Sequence, residues 1–240
     1  MKNVSGVLIC VPAFGQSVAA QTMEALFSTA QWLTANQINN RLCWFSAADI
    51  VEVRNLFLTI WYDCNPGYSH LLFVDADMGF SPHLVRDMLT FGKPLTGTLY
   101  AKRQMPARCV GTLFEGHTSA DVRQGFLPAR DLGCGVMMIT RRVVETMLKK
   151  WPEMSDGLPN VLSQAADFKL KRLIRAFDPI REGDMRLSED ISFCHRWREC
   201  DGEIWANIEH RISHVGPFDY AIRYAGVLEN NERVMKAEAA

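Results

Sequence analysis

The chain has 240 residues, of which 48% are hydrophobic, 10% aromatic and 22% charged. This composition excludes a disordered tail, a collagen-like rod and a small disulfide scaffold, and the chain is long enough to bury a sizeable core. Its 26 basic and 27 acidic residues leave a formal net charge of −1, so no overall charge draws it to nucleic acid or membranes.

The cysteines and the apolar runs indicate a cellular setting. None of the seven cysteines forms a C-x-x-C pair, and several lie in apolar runs, where a thiol behaves as a small hydrophobic group. A cytoplasmic location is the simplest interpretation. The longest apolar runs fall far short of the roughly 20 residues that a membrane-spanning helix needs, so we predict no transmembrane segment.

Two strand–helix units are predicted in the first 61 residues. The apolar run at residues 4–11 predicts a buried strand, and apolar residues at helical spacing over 19–33 predict the helix after it. A second strand, 41–45, leads into a helix whose start, Ser46 to Asp49, is close to a capping box. The apolar stripe of this helix predicts that Arg54 and Asn55 project away from the core.

A third unit completes the pattern of an α/β fold. The apolar strand at residues 70–74 is followed by the acid Asp75, and Ser81-Pro82 marks the start of the next helix. Alternating strands and helices predict a mostly parallel, doubly wound, Rossmann-like sheet flanked by helices. Ligands of such sheets bind beyond the carboxyl ends of the strands.

The second half of the chain is less regular. Residues 135–139 predict a strand, and residues 140–151 predict the helix that follows it. Residues 152–183 carry turn residues and a basic run at 169–175, which predicts an excursion from the core. Ser188 is expected to cap a further helix, whose first turn holds Glu189 and Asp190.

Two acids at the end of the third strand are the sharpest local feature. Asp75 and Asp77 are separated by one residue, and positions i and i+2 of an extended chain face the same way. Both carboxylates would then address one divalent cation, which prefers such oxygen ligands. The alternative is that Asp75 caps the loop and Asp77 is merely solvated.

Six segments occur in the order seen in one enzyme family. They are the strand at 7–12, Arg54-Asn55, the acids Asp75 and Asp77, residues 133–141, Ser188-Glu189-Asp190, and His214-Val215-Gly216. From about residue 4 to residue 217, the sequence resembles the GT-A glycosyltransferases, near their family 2 type. The resemblance implies a GT-A-type domain that moves a sugar from a nucleoside-diphosphate sugar to an acceptor hydroxyl.

The resemblance also implies a metal site. In that family the two acids hold a Mn²⁺ or Mg²⁺ ion that neutralises the diphosphate, which maps onto Asp75 and Asp77, and a late histidine is the third ligand, which maps onto His214. Asp77 would bind the ion directly, and Asp75 would reach the ribose or the ion through water. Imidazole suits Mn²⁺ better than Mg²⁺. Five other histidines compete for the role: His70, His83, His117, His195 and His210.

Catalysis is implied at the pair Glu189 and Asp190. In inverting relatives the Asp takes the proton from the attacking hydroxyl, so Asp190 is the candidate general base and Glu189 would position the acceptor. Acids in a first helical turn also complement the helix dipole, so plain capping is the alternative. Retaining relatives leave the stereochemical outcome open.

The resemblance further implies residues that bind the donor. They are Pro12, Ala13 and Phe14 in the first loop, with Arg54, Asp75, Ala76, Asp77, Lys102 and Gly135. A cation among Arg54, Lys102 and Arg103 would offset the charge of the leaving diphosphate, although each is otherwise a common surface charge. Gly133 and Gly135 would let the donor sugar or the acceptor approach the backbone, or would form a tight turn.

We therefore expect a single domain over residues 1–240, with a nucleotide-sugar-binding half at 1–110 and an acceptor-binding, catalytic half at 111–240. The donor would be a UDP- or GDP-sugar, and the acceptor a saccharide, a lipid carrier, a protein or a modified DNA base. Residues 141–181 hold nine basic and five acidic residues, a net charge of +4. This stretch would bind an anionic acceptor or form a solvated helix face.

Three other functions stay open. A sugar nucleotidyltransferase of related fold is one, although the basic loop expected after its first strand is missing. A glycosyltransferase acting on hydroxymethylated bases of DNA is another. The third is a non-catalytic module that binds nucleic acid without a divalent ion, and its binding would fall steeply with salt.

Overall fold

The computed structural model describes residues 4–104, 108–156 and 170–238. The α-helices in these ranges are α1 (Ala20–Ala35), α2 (Ile50–Thr59, continued by a π-helical turn Ile60–Cys64), α3 (Pro82–Phe91), α4 (Arg141–Lys150), α5 (Glu189–Glu199) and α6 (Tyr224–Glu238). Short 3₁₀ turns are Phe14–Gln16, Ser119–Asp121 and Pro152–Met154.

The strands are short except in the central sheet. They are β1 (Gly6–Pro12), β2 (Asn39–Phe45), β3 (His70–Val74), β4 (Met78–Gly79), β5 (Leu95–Thr98), β6 (Tyr100–Ala101), β7 (Cys109–Val110), β8 (Thr112–Leu113), β9 (Phe126–Asp131), β10 (Val136–Thr140), β11 (Ser155–Asp156), β12 (Leu173–Ile174), β13 (Arg181–Glu182), β14 (Met185–Arg186), β15 (Ile204–Asn207), β16 (Ile212–Val215) and β17 (Asp219–Ile222).

Eight strands form the central sheet, in the order β2-β1-β3-β10-β5-β15-β9-β8. Strand β10 runs antiparallel to both of its neighbours and so does β9, which leaves the other six strands pointing in one direction. The α/β fold with a mostly parallel sheet is therefore confirmed. The carboxyl ends of β1, β2 and β3 lie at the same edge, which prepares a ligand site there.

Apolar side chains cover both faces of the sheet, as a doubly wound fold requires. On β1, Leu8 and Cys10 pack into the cluster that contains the inward residues of α2, α4 and α5. Val7, Ile9 and Val11 point to the opposite face and pack against α1 and α3. This two-sided burial explains why β1 is a continuous apolar run rather than an alternating one.

Helix α2 begins differently from the prediction. Asp49 is itself the N-cap, since its carboxylate accepts hydrogen bonds from the backbone N–H groups of Val51 and Glu52. The capping box that starts at Ser46 was therefore wrong. An Asp at this position satisfies two of the helix's free N–H groups by itself, so no partner three residues away is needed.

The polar side of α2 is buried, which also corrects the prediction. Asn55 donates to Asp178 Oδ1 at 2.7 Å and accepts from the backbone N–H of Phe177 at 2.9 Å. Thr59 accepts from the N–H of Ile174 at 2.9 Å. These bonds pull residues 173–177 into the core, and Phe177 is fully buried.

The excursion predicted for 152–183 is therefore wrong for its described part, where Leu173, Ile174 and Phe177 belong to the core. Residues 157–169, which include Lys169 of the basic run, lie outside the described residues.

None of the helices in the described ranges combines the length and the apolar character that crossing a membrane requires.

Candidate active site

A cleft of about 800 Å³ opens beyond the carboxyl ends of β1 and β3. Its lining combines acids, cations and an apolar rim: Pro12, Phe14, Ser17, Val18, Ala19, Ile50, Arg54, Asp75, Ala76, Asp77, Tyr100, Arg103, Val110, Glu189, Asp190 and His214. The cleft thus gathers ten of the residues proposed from the sequence: Pro12, Phe14, Arg54, Asp75, Ala76, Asp77, Arg103, Glu189, Asp190 and His214.

The two acids after β3 line one cleft but have different cationic partners. The chain turns at residues 76–77, and the backbone N–H of Met78 bonds to the carbonyl of Asp75 at 3.2 Å. Arg54 Nη2 holds both Asp75 oxygens, at 3.1 and 3.3 Å, whereas Asp77 Oδ2 lies 3.2 Å from Arg103 Nη2. The extended geometry assumed from the i, i+2 spacing is therefore wrong.

His214 reaches Asp77 through the pairing of β16 with β4, which sets His214 opposite Met78. Its Nδ1 bonds to the carbonyl of Ala101 at 2.8 Å, and because a carbonyl only accepts, Nδ1 carries a proton. Its Nε2 lies 3.5 Å from Asp77 Oδ2. In neutral His214 these two atoms would both be acceptors, so a proton on Nε2 or a cation shared by the two atoms would make their approach favourable.

The pKa shifts of Asp77 and His214 agree with this close approach. Burial alone would raise the pKa of Asp77, but His214, Arg103 and a backbone N–H together lower it. Burial alone would lower the pKa of His214, but Asp77 and the Ala101 carbonyl raise it. Many metal-ligating histidines donate their other ring N–H to a backbone carbonyl, as Nδ1 of His214 does to Ala101.

These donors fit a divalent cation in part. Asp77 and His214 offer two converging ligands, while Asp75, the other acid expected near the ion, is held by Arg54. No cluster of three or more His, Cys, Asp or Glu side chains suited to a metal is present among the described residues. An ion bound at Asp77 and His214 would take its other ligands from water or from a diphosphate, as Mg²⁺ commonly does.

Arg54 links the two acidic segments of the cleft. Its side chain is only 4% exposed, and its Nε lies 3.4 Å from Glu189 Oε1 while Nη2 holds Asp75. Burial raises the pKa of Glu189, more than the charge of Arg54 lowers it. Arg54 thus lines the cleft as a buried bridge between the segment after β3 and α5, and the alternative that it is a surface charge is wrong.

Asp190 has one anchored and one available oxygen. Its Oδ1 accepts hydrogen bonds from the Ser188 hydroxyl and from the N–H of Ile191 at 2.8 Å. Among the described residues no group bonds to Oδ2. Ser188 stands at the N-cap of α5, but its hydroxyl donates to Asp190 instead of accepting from the helix, so side-chain capping by Ser188 was wrong.

Three residues proposed to bind the donor do not line the cleft. Ala13 is 2% exposed and its N–H bonds to the carbonyl of Phe45. Lys102 is exposed outside the lining, and the next residue, Arg103, supplies the cation at Asp77. Gly135 is buried, and its carbonyl accepts from the N–H of Asp75 at 2.9 Å.

Tyr100 is a lining residue that sequence reasoning missed. The space beside Gly135 holds its ring, since a Cβ at Gly135 would lie 2.7 Å from Tyr100 Cζ, and a Cβ at Gly133 would collide with the hydroxyl. The two glycines therefore make room for a side chain. The available signal was the strand-like run 95–100, which ends at Tyr100 and precedes the cations Lys102 and Arg103.

The rim of the cleft is aromatic. Phe14 is 71% exposed on the 3₁₀ turn after β1, where Gly15 adopts a φ of 70° that favours glycine.

The competing histidines lie outside the lining. His70 is buried in β3, His210 Nε2 lies 2.8 Å from Asp87 Oδ2, and His195 Nε2 lies 3.9 Å from Glu182 Oε1.

The described part of the basic stretch makes internal contacts. Arg141 donates to the carbonyls of Trp61 and Tyr62, and its guanidinium lies over both rings. Arg172 binds both carboxylate oxygens of Asp63, at 2.7 and 2.9 Å. Arg141 and Arg172 therefore bind the π-helical turn that continues α2. This favours a role of the basic stretch in holding the fold together over a role in binding an anionic acceptor.

Comparisons with known proteins bear on the fold. No protein-family model matches the chain, and no curated protein matches its sequence. Among solved structures, A197 from STIV is 14% identical, with a TM-score of 0.50 over 88% of this chain and 86% of that one. This likeness supports the fold alone.

Two further structures resemble the chain more weakly. A Drosophila β-1,4-galactosyltransferase 7 mutant, in complex with manganese, UDP-Gal and xylobiose, is 9% identical, with a TM-score of 0.37 over 91% of this chain and 70% of that one. The 4-diphosphocytidyl-2C-methyl-D-erythritol synthase from Anaerococcus prevotii is 10% identical, with a TM-score of 0.35 over 81% and 98%. Structural neighbours thus include glycosyltransferases and nucleotidyltransferases.

Proposed function

We propose that the chain is a glycosyltransferase that uses a divalent cation to bind a nucleoside-diphosphate sugar and transfers the sugar to a hydroxyl group. The observation that carries the proposal is the pair Asp77 and His214 in the cleft, with Nδ1 of His214 committed to a carbonyl and Nε2 facing a carboxylate 3.5 Å away. Asp190 lines the same cleft, and none of the described residues bonds to its Oδ2.

Asp77 and His214 would hold the cation, and Arg103 would move to the diphosphate. Arg103 is suited to this because its side chain is 48% exposed, so exchanging one anionic partner for another needs no buried rearrangement. When bound, Mn²⁺ or Mg²⁺ supplies positive charge that stabilises a leaving diphosphate. Phe14, at the rim, offers its exposed ring to the nucleobase.

Asp190 would act as the general base. Its Oδ2 takes the proton of the acceptor hydroxyl while the acceptor oxygen forms a bond to the anomeric carbon. The bond from that carbon to the diphosphate oxygen breaks, and its electron pair leaves with the diphosphate. Ser188 and the N–H of Ile191 keep the carboxylate in place through Oδ1. Attack opposite the leaving group would invert the configuration.

The domain halves proposed from the sequence agree with this arrangement. Asp77 and the loop after β1 lie within residues 1–110, while Glu189, Asp190 and His214 lie within 111–240. We propose that the first half binds the donor and that the second binds the acceptor and completes the metal site. The acceptor class, the nucleotide and the sugar stay open within this proposal.

Release of a nucleoside diphosphate tests the proposal. Purified protein is incubated with UDP-glucose or GDP-mannose and MnCl2, and UDP or GDP is quantified. We expect slow Mn²⁺-dependent release in the wild type, loss of release in Asp77→Ala, and unchanged release in Asp87→Ala, an acid outside the cleft. Pyrophosphate release from UTP with a sugar phosphate, in place of UDP release, would contradict transfer and favour the nucleotidyltransferase.

A further inference from the structure

Tyr100 forms part of the floor of the cleft. It is 6% exposed, and its ring meets the ring of His214 edge-on, with the centroids 5.3 Å apart and the planes at 90°. The next residue, Ala101, provides the carbonyl that fixes His214 Nδ1. Strand β6 therefore places Tyr100 beside the proposed cation ligands.

The surrounding backbone is shaped for this side chain. Gly133 and Gly135 leave the volume that the phenol fills, because a Cβ at either position would overlap it. The carbonyl of Gly135 also accepts the N–H of Asp75, so the Tyr100 pocket lies directly beside the donor-side acid. Gly133, Gly135 and the Tyr100 ring thus pack closely together in the floor of the cleft.

The Tyr100 hydroxyl lacks a partner. It makes no hydrogen bond to any residue within 4–104, 108–156 and 170–238, and it is not one of the fully enclosed polar atoms, so it stays open to the cleft. An ordinary phenol keeps its proton at neutral pH, so the group is available as a hydrogen-bond donor.

We propose that the Tyr100 hydroxyl donates a hydrogen bond to an oxygen of the donor's sugar, so that Tyr100 distinguishes a nucleotide sugar from the bare nucleotide. The inference rests on the proposed function. The sugar is the part of the donor that must lie between the diphosphate, on the side of Asp77, and the acceptor, on the side of Asp190. Tyr100 contacts His214 on the first side and lines the same cleft as Asp190.

Replacing Tyr100 by Phe tests this with the loss of one oxygen atom. Dissociation constants are measured by calorimetry, with MnCl2, for UDP, UDP-glucose, GDP and GDP-mannose. We expect Tyr100→Phe to weaken the sugar nucleotide about two- to twelvefold, the value of one hydrogen bond, and to leave the matching diphosphate unchanged. Tyr68→Phe, which changes a phenol near Gly6 at the start of β1, should alter neither constant.

The outcomes separate the inference from the proposed function. Equal affinity of wild type and Tyr100→Phe for the sugar nucleotide overturns the inference, and so does an equal loss for the diphosphate and the sugar nucleotide, which would place the hydroxyl at the diphosphate. A wild type that binds none of the four ligands overturns the proposed function and the inference together. The melting temperature of Tyr100→Phe should match that of the wild type, because the ring is kept.

Discussion

Replacing Arg54 by Met should destabilise the fold more than replacing any cation of the cleft rim. The Arg54 side chain is 4% exposed and stands between Asp75, 26% exposed, and Glu189, 18% exposed. Removing one partner of a buried ion pair costs about 3–5 kcal/mol, because the remaining charge is left uncompensated. Since the two acids keep some contact with water, we expect about 3 kcal/mol.

Urea unfolding followed by tryptophan fluorescence measures this cost. Arg103→Met is the matched control, because Arg103 also pairs with an acid of the cleft but is 48% exposed, so its loss should cost about 1 kcal/mol or less. Adding Glu189→Gln to Arg54→Met should recover part of the stability by removing one stranded charge. A free energy of unfolding of Arg54→Met within about 0.5 kcal/mol of the Arg103→Met value would refute the bridging role.

Three further predictions concern other parts of the chain. Burial lowers the pKa of His70 to about 4 from an ordinary value of 6.5, so the unfolded chain binds the extra proton first as the pH falls, and stability should drop by about 2 kcal/mol between pH 7.5 and 5. Urea titrations at both pH values check this, and His70→Gln should remove that part of the loss. Gly202→Ala should cost about 1–3 kcal/mol, because its Cβ would overlap the Trp197 ring, whereas Gly226→Ala in α6 meets no neighbour and should be neutral or stabilising; thermal melting decides. Asp190→Asn should lower kcat about 10²- to 10⁴-fold in the transfer assay without lowering nucleotide affinity, and equal loss of both would contradict its role as the base.

Local patterns predicted the strands well because burial on both faces of the sheet leaves a continuous apolar run. The runs at residues 4–11 and 70–74 lie at β1 and β3, and the rule that ligands bind at the carboxyl ends of such strands leads to the observed cleft. The order of Asp77, Asp190 and His214 along the chain likewise indicated residues that the fold brings to one place.

The wrong predictions concern side chains whose surroundings are set by residues far away in the sequence. Asp75 and Asp77 are not on an extended segment, because the chain turns after β3, and Arg54 binds the first acid. Arg54 was expected to project away from the core because it lies off the apolar stripe of α2. Two carboxylates from distant segments allow its burial instead. The two glycines at 133 and 135 gave no hint of what fills their space, because Tyr100 is more than 30 residues away in the sequence.

The central claim is that Asp77 and His214 hold a cation that binds a nucleoside diphosphate. Calorimetric titration of UDP and GDP into the wild type, with MnCl2 and then with EDTA, tests it most directly, alongside Asp77→Asn. The account predicts that one of the two diphosphates binds only with Mn²⁺ and that Asp77→Asn weakens this binding while the melting temperature changes little. Binding of the same strength in EDTA, or unchanged binding by Asp77→Asn, would contradict the account.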